Sequence, residues 1–412
     1  MSIFRNKQLW NACLGNFFEH YDTALFGCLS PFLAPLIFPR EDPLTALILT
    51  YAIAPLAMLA RPIGSLVFGY IGDRYGRAHA LFLTLAGMAL VSGGMACTPT
   101  YFQAGILAPI LFCLGRTLQY FLAAGETMGG AIFLLEHTSE KRHDLLSSLY
   151  SASTIGGHLL ASYGVFLLSS SIDTRWRFLY LAGSITAFFG CMMRRNVTLP
   201  SPPIKFNHTL ATVKGMFWTY RKPLLLIALS AGFSHATYAI SLVLMNGLIP
   251  LVSSLTKAEV MRMNTYLLIL DFSALPFFGW AASKLSREKL MLGASLGVAV
   301  LAIPLFLLLP GASLLTIFGV RIAFVLLGIA FCAPLHAWAQ QLFPPACRYL
   351  LISFGYALGS QLFGGPTAAL ALWCFQKTGM IASIAWYWIG LACIVSLSIA
   401  MTLRSKNKIV QA

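Results

Sequence analysis

Long apolar runs, broken by short charged or proline-bearing segments, set the pattern of this chain. The pattern predicts twelve spanning helices, at 12–37, 44–72, 79–97, 104–136, 145–170, 177–193, 223–252, 263–283, 289–309, 312–341, 347–374 and 380–403. An α-helix rises about 1.5 Å per residue, so about 20 residues cross a hydrocarbon layer. The longer runs are expected to tilt or to extend past the bilayer. The main break, Arg194–Lys222, carries Pro200, Pro202 and Pro203 and divides the helices six and six. The expected organisation is a six-helix bundle over 1–193, a cytoplasmic linker over 194–222 that holds no domain, and a second six-helix bundle over 223–412.

Composition agrees with an all-α membrane protein. The chain is 58% hydrophobic and 10% charged, with mean hydropathy +0.77. A water-soluble fold with this content would expose large apolar patches. The net charge of +15 is a topology signal rather than a nucleic-acid signal. With both termini cytoplasmic, Arg74, Arg77, Lys141, Arg142, Arg194, Arg195 and most other Lys and Arg fall inside. Arg40, Arg175, Arg177, Lys257, Arg262 and Lys377 fall outside, and Arg61, Arg116 and Arg321 lie within spans. That asymmetry follows the positive-inside rule of a bacterial-type inner membrane. The N-terminus lacks a cleavable signal pattern, so the first span is expected to serve as its own insertion signal. Nine cysteines stand apart with no CxxC pair and read as reduced packing residues. There is no phosphate-loop, dinucleotide, zinc or nucleophile motif. The expectation is therefore no enzyme activity, no catalytic or metal residues and no cofactor, with energy drawn from an ion gradient.

One stretch is sharply organised. Arg61-Pro62-Ile63-Gly64 leads through Gly69-Tyr70-Ile71-Gly72 into Asp73-Arg74-Tyr75-Gly76-Arg77. Its glycines allow close helix approach, and its charged tip must leave the hydrocarbon. It resembles the signature loop between the second and third helices of the major facilitator superfamily. The resemblance implies two parallel six-helix bundles and alternating-access transport. It also implies a cytoplasmic gate of Gly69, Asp73, Arg74, Gly76 and Arg77 with Glu136, Arg142 and the start of span eleven near Arg348. The competing reading is a solvated turn that only sets topology. In the second half the corresponding run is Gly279-Trp280-Ala281-Ala282-Ser283-Lys284-Leu285-Ser286-Arg287. Ser283 replaces the acid and Ser286 the glycine, so the gate is expected on one side only.

Charges inside a bilayer are costly and are functional candidates by default. Asp22, Arg61 and Glu126 each lie about 16 Å from the inner surface by helical rise. Glu19 and Asp22 share one helix face, and two acids in low dielectric resist double ionisation. Glu126, Asp22 and Glu19 are thus the candidate proton-coupling groups. Arg61 and Arg116 would tune them or meet a solute carboxylate; the alternative is a set of structural ion pairs. His20, beside Glu19, is the histidine most suited to a proton role. Asp271 and Arg321 are placed to pair between spans eight and ten; the alternative is that one of them contacts the solute. Tyr21, Tyr238, Trp338 and Tyr356 are candidate cavity aromatics, able to face a quaternary ammonium by cation–π attraction; the plain alternative is packing.

Further motifs sharpen the resemblance. Gly15-Asn16-Phe17-Phe18-Glu19-His20-Tyr21-Asp22, Arg116-Thr117-Leu118-Gln119-Tyr120, Trp176-Arg177-Phe178, Leu342-Phe343-Pro344 and Gly364-Gly365-Pro366 are similar to motifs of the metabolite:proton symporter family. Gln341 stands where that family has an acid. Phe38–Pro43 and Thr237-Tyr238 are similar to its proline/betaine branch. The resemblance implies a monomeric, proton-coupled symporter of a small polar solute, a proline- or betaine-like zwitterion first. An organic acid such as 2-oxoglutarate, citrate or shikimate is the alternative. An exchanger or exporter is disfavoured because Ser153-Thr154-Ile155-Gly156-Gly157-His158 lacks a Gly-Pro run. A non-transporting membrane sensor is the remaining class. The expected partners are the solute, protons and the lipid bilayer.

Overall fold

In a computed structural model of the chain, residues 7–37, 53–168, 172–195 and 210–411 are described. The Phe38–Pro43 match and linker residues 196–209 lie outside them. The described residues are helical, with no strand among them. Twelve spanning elements follow in order: α1 (Lys7–Ile37), α2 (Ile53–Tyr75), α3 (Arg77–Ala96), α4 (Leu107–Glu136), α5 (His143–Leu167), α6 (Ile172–Arg195), α7 (Arg221–Val252), α8 (Lys257–Leu285), α9 (Arg287–Leu307), α10 (Leu314–Gln340), α11 (Arg348–Thr378) and α12 (Trp386–Gln411).

Local sequence explains where these helices begin and bend. Thr256 and Glu259 form a reciprocal capping box at the start of α8, and Ser313 caps α10 through the Thr316 N–H. α7 widens into a π-helical turn over Ala239–Leu244, and α11 does so over Ser360–Gly364. Such turns divert a helix where side chains must be re-aimed. The linker, expected to hold no domain, contains the helix Leu210–Thr219.

By length and composition alone, seven helices among the described residues can cross a membrane: α3, α4, α7, α8, α9, α10 and α12. Large apolar side chains face outward, among them Leu90, Phe102 and Leu315, each at least 78% exposed. In lipid this exposure has no hydrophobic cost.

The chain forms two compact units. The first comprises Met1–His137, Ser153–Val213 and Pro345–Phe354; the second comprises Thr138–Ala152, Lys214–Pro344 and Gly355–Ala412. Two short segments therefore cross the division expected at 194–222. The start of α5 belongs to the second unit, and the start of α11 to the first. The first unit has an apolar core of Tyr21, Leu25, Leu29, Leu33, Phe112, Trp176 and their neighbours from α1, α3, α4, α5 and α6.

Candidate functional site

In the first unit, the charged tip of α2 is a closed knot. Asp73 is buried, and its carboxylate accepts from the Tyr349 N–H at 3.3 Å and the Leu350 N–H at 2.9 Å. Those N–H groups belong to the first turn of α11, where a negative charge is favoured by the helix dipole. Arg77 donates to Asp73 at 2.6 Å, to both Glu136 oxygens at 3.1 Å and to the Pro345 carbonyl at 2.9 Å. Arg348 adds a 3.3 Å bond to Glu136. Close approach makes this possible: a methyl carbon on Gly69 would lie 2.7 Å from Leu350 Cα. Gly129 leaves room for the Tyr349 ring, whose hydroxyl donates to the Gly125 carbonyl at 2.6 Å. Arg74 is exposed against Tyr70 and Tyr75, outside the knot. Arg142 is exposed in the turn Glu140–Arg142, and the cations bonded to Glu136 are Arg77 and Arg348.

The second half, where the loop acid is replaced by Ser283, carries an ion pair at the matching place. In the second unit Arg287 donates to Asp144 at 2.5 Å and to the Ala337 carbonyl at 3.4 Å. Gly279 packs on Ser148 and the Asp144 carbonyl. The acid lost at Ser283 is thus replaced by one from the start of α5. The backbone is also kept. Gly76 has φ 106° and ψ 145°, and Ser286, at the matching place, has φ 91° and ψ 143°. A serine occupies a conformation suited to glycine.

The three candidate proton groups do not form one cluster. Glu19 lies 2.6 Å from His20 Nδ1 and 3.7 Å from Arg61, and it accepts from Thr23 at 3.1 Å. Arg61 also donates to Thr127 of α4 at 3.2 Å, and the His20 and His158 rings lie 5.5 Å apart. Glu19 is therefore part of a charge-compensated pair. Asp22 is different. It is fully buried; Oδ2 accepts from Ser92, and among the described residues Oδ1 has no hydrogen-bond partner. Ser92 accepts from Gln119 at 2.9 Å, and Gln119 accepts from Arg116 at 2.7 Å. Carboxyl and guanidinium are thus joined through a hydroxyl and an amide. Arg116 also lies over the Phe26 and Tyr120 rings, 4.3 and 4.8 Å from their centroids. Glu126 is buried and accepts from Thr84 of α3 at 3.4 Å.

The aromatic candidates divide. Tyr21 donates to the Leu179 carbonyl at 3.1 Å inside the apolar core, and Trp338 is 1% exposed. Both are packing residues rather than cavity walls. Tyr238 is half-buried and donates to Asp271 at 3.3 Å. Asp271 and Arg321 do not pair. Arg321 is held instead by Asn246 at 2.9 Å, Asn264 at 2.6 Å and two carbonyls. Sequence reasoning missed Ser92, Gln119, Asn246, Asn264 and Asp144. For Ser92, Gln119, Asn246 and Asn264 the available signal was a polar residue within an apolar run.

The profile of the Major Facilitator Superfamily matches residues 12–368. The chain is similar to a protein of Staphylococcus haemolyticus (strain JCSC1435) named "Putative proline/betaine transporter", 29% identical over 410 residues, with 96% of this chain and 87% of the relative covered. It is also similar to the "Alpha-ketoglutarate permease" of Escherichia coli (strain K12), 25% identical over 413 residues, with 98% and 95% covered. Among solved structures, the proton:xylose symporter XylE bound to 6-bromo-6-deoxy-D-glucose aligns with TM-score 0.74 at 18% identity, over 95% of this chain and 94% of that one. That likeness concerns the fold.

Proposed function

The chain belongs to the Major Facilitator Superfamily and is a multi-pass secondary transporter of that type, and from this premise we propose that it imports a small zwitterion together with a proton. The observation that carries the proton is Asp22. Its carboxyl is sealed from water and, among the described residues, has one hydroxyl partner, one unpartnered oxygen and no cation in direct contact. A buried carboxylate in that setting is costly to charge, so binding and release of a proton is its natural chemistry. Glu126, buried beside Thr84, is the second proton group. Glu19, already paired with Arg61 and His20, sets the local charge balance.

The zwitterion is supported by the similarity to the named proline/betaine relative. Arg61 and Arg116 suit its carboxylate, and Tyr238 its ammonium. A second reading, an organic acid such as 2-oxoglutarate, draws on the likeness to the E. coli permease and on the same arginines. On this reading the transporter sits in a bacterial-type inner membrane with both termini cytoplasmic, as a monomer driven by the proton gradient alone. The knots at Asp73–Arg77–Glu136 and Asp144–Arg287 act as cytoplasmic gate locks that release during each cycle.

Uptake into proteoliposomes under an imposed pH gradient tests this, with proline, betaine, 2-oxoglutarate, citrate and shikimate as solutes. Accumulation of one zwitterion, lost in Asp22→Asn and Glu126→Gln, is expected. Accumulation of none of them while binding is retained refutes symport. Intact proton-driven uptake in both variants refutes the coupling site.

A further inference from the structure

We propose that Asp271 is a further proton-binding site, separate from Asp22 and Glu126 and served through the hydroxyl, thiol and imidazole groups of Tyr238, Cys332, Ser151 and His336. The proposal rests on the reading of this chain as a proton-driven transporter, but it concerns a different carboxyl in a different unit.

Asp271 is the central residue of the 29-residue helix α8, roughly 21 Å from either end by helical rise. It is completely buried. Tyr238 donates to Oδ1 at 3.3 Å, and among the described residues Oδ2 has no hydrogen-bond partner. Among the described residues no Lys, Arg or His lies within ion-pair distance of it. The cation nearest in sequence logic, Arg321, is committed to Asn246, Asn264 and the carbonyls of Ser241 and Val260. A bare carboxylate at mid-membrane with one long hydrogen bond is strongly disfavoured. The group is therefore neutral at rest and carries a proton. A solute is not the ligand, because no face of the carboxyl is accessible to one. A proton needs only a chain of exchangeable groups.

That chain exists within the second unit. The Cys332 thiol of α10 neighbours Tyr238 and Ser234. It also lies 3.9 Å from the Ser151 hydroxyl of α5. Ser151 lies 3.4 Å from His336 Nδ1, and Ser147 3.5 Å from the same nitrogen. His336 lies edge-on to Tyr150, with ring centroids 5.4 Å apart. The next residue, Ala337, offers its carbonyl to Arg287, which holds Asp144. The row thus runs from the centre of α8 to the charged end of α9. In each transfer one bond to hydrogen breaks and one forms. His336 passes a proton to Ser151 as Ser151 gives its own to Cys332. Cys332 gives its proton to Tyr238, and Tyr238 gives its hydroxyl proton to the Asp271 carboxylate. Every intermediate group ends neutral, and one proton has moved from His336 to Asp271.

Infrared difference spectroscopy of the full-length protein in proteoliposomes tests both parts without any solute. Wild type should show a protonated-carboxyl carbonyl stretch that is lost in Asp271→Asn and retained in Asp22→Asn. On transfer to heavy water, that band should shift several-fold more slowly in Ser151→Ala and His336→Gln than in wild type. Should Asp271→Asn fail to fold, Tyr238→Phe keeps the carboxyl and should also slow the shift. An unchanged set of carboxyl bands in folded Asp271→Asn overturns the site. Wild-type exchange rates in Ser151→Ala, His336→Gln and Tyr238→Phe overturn the relay. Loss of uptake in the Asp22 and Glu126 variants bears on neither outcome.

Discussion

Asp73→Asn isolates what the first-unit knot contributes. The substitution keeps the shape and one acceptor oxygen, so one N–H at the start of α11 remains bonded. It removes the charge and the second acceptor, which now serve Leu350, Tyr349 and Arg77 together. A hydrogen bond to a charged group contributes about 1.5–3 kcal/mol. Arg77 keeps Glu136 as a counter-charge, so the full penalty of an orphaned buried cation does not apply. A net loss of about 2 kcal/mol follows, roughly a thirtyfold rise in the population in which 345–350 has detached.

Cys347 reports that population directly. It lies in the turn before α11 and is 3% exposed. Burial pushes its thiol up to about 11, and the neighbouring Asp73 carboxylate adds to the shift. In wild type at neutral pH it is therefore a poor nucleophile. With the exposed Cys97 and Cys393 replaced by serine, maleimide labelling of Cys347 should accelerate about thirtyfold in Asp73→Asn, provided opening is fast relative to labelling. Arg74→Gln, at an exposed position outside the knot, should leave the rate unchanged. Equal rates in wild type and Asp73→Asn would refute the idea that Asp73 holds the start of α11.

Ser286→Gly should raise the apparent melting temperature by a few degrees. Relief of a residue-specific backbone strain is worth about 1–3 kcal/mol, and the lost cap to the Lys289 N–H costs only a few tenths. Gly69→Val should lower thermal stability and speed Cys347 labelling, because its side chain must displace the Leu350 backbone; an unchanged labelling rate would count against close packing there. Asp144→Asn should destabilise by about 3 kcal/mol, since it strands the mostly buried Arg287; a melting temperature equal to wild type would show that the second-unit pair is dispensable. Arg321→Met should be better tolerated than Arg321→Ala, because the volume is kept while two asparagines can rotate to new partners; the reverse order of melting temperatures would refute that reasoning.

Apolar run length made the helices legible, because a bilayer-spanning helix must bury or face lipid along its whole length. The charged knot was legible at Asp73 and Arg77 because glycine spacing and a charged tip lie close together in sequence. Its partners were harder. Glu136 and Arg348 were named, but Asp144 lies far from Arg287 in sequence, so the loss of the acid at Ser283 read as loss of the lock. Depth along a helix identified Asp22 and Glu126, while rotation about the helix axis was not available from depth. That rotation decides that Glu19 meets Arg61 whereas Asp22 meets Ser92. Aromatic residues gave the weakest signal, because the same ring serves a cavity or a core. Tyr21 and Trp338 proved to be core.

The register of the two halves explains why their buried charges behave differently. Gly69, Asp73, Gly76 and Arg77 are spaced as Gly279, Ser283, Ser286 and Arg287 are, and Arg61 precedes Gly69 by the same interval as Asp271 precedes Gly279. Arg61 and Asp271 therefore occupy equivalent depths on α2 and α8, with opposite charges. Likewise Arg116 precedes Glu136 by the interval that separates Arg321 from Gln341. Both arginines are buried and bonded to side-chain amide oxygens. At the depth of Arg61, the first unit supplies Glu19 and Thr127, so the charge is compensated and can persist. At the depth of Asp271, the second unit supplies a tyrosine hydroxyl and a thiol. Those groups can pass a proton but cannot balance a negative charge. The equivalent positions thus take the two routes open to an ionisable group in low dielectric, pairing in one half and protonation in the other. A fixed arginine cannot take the second route, since its guanidinium stays charged. An aspartate can, and the surroundings of Asp271 leave it no other.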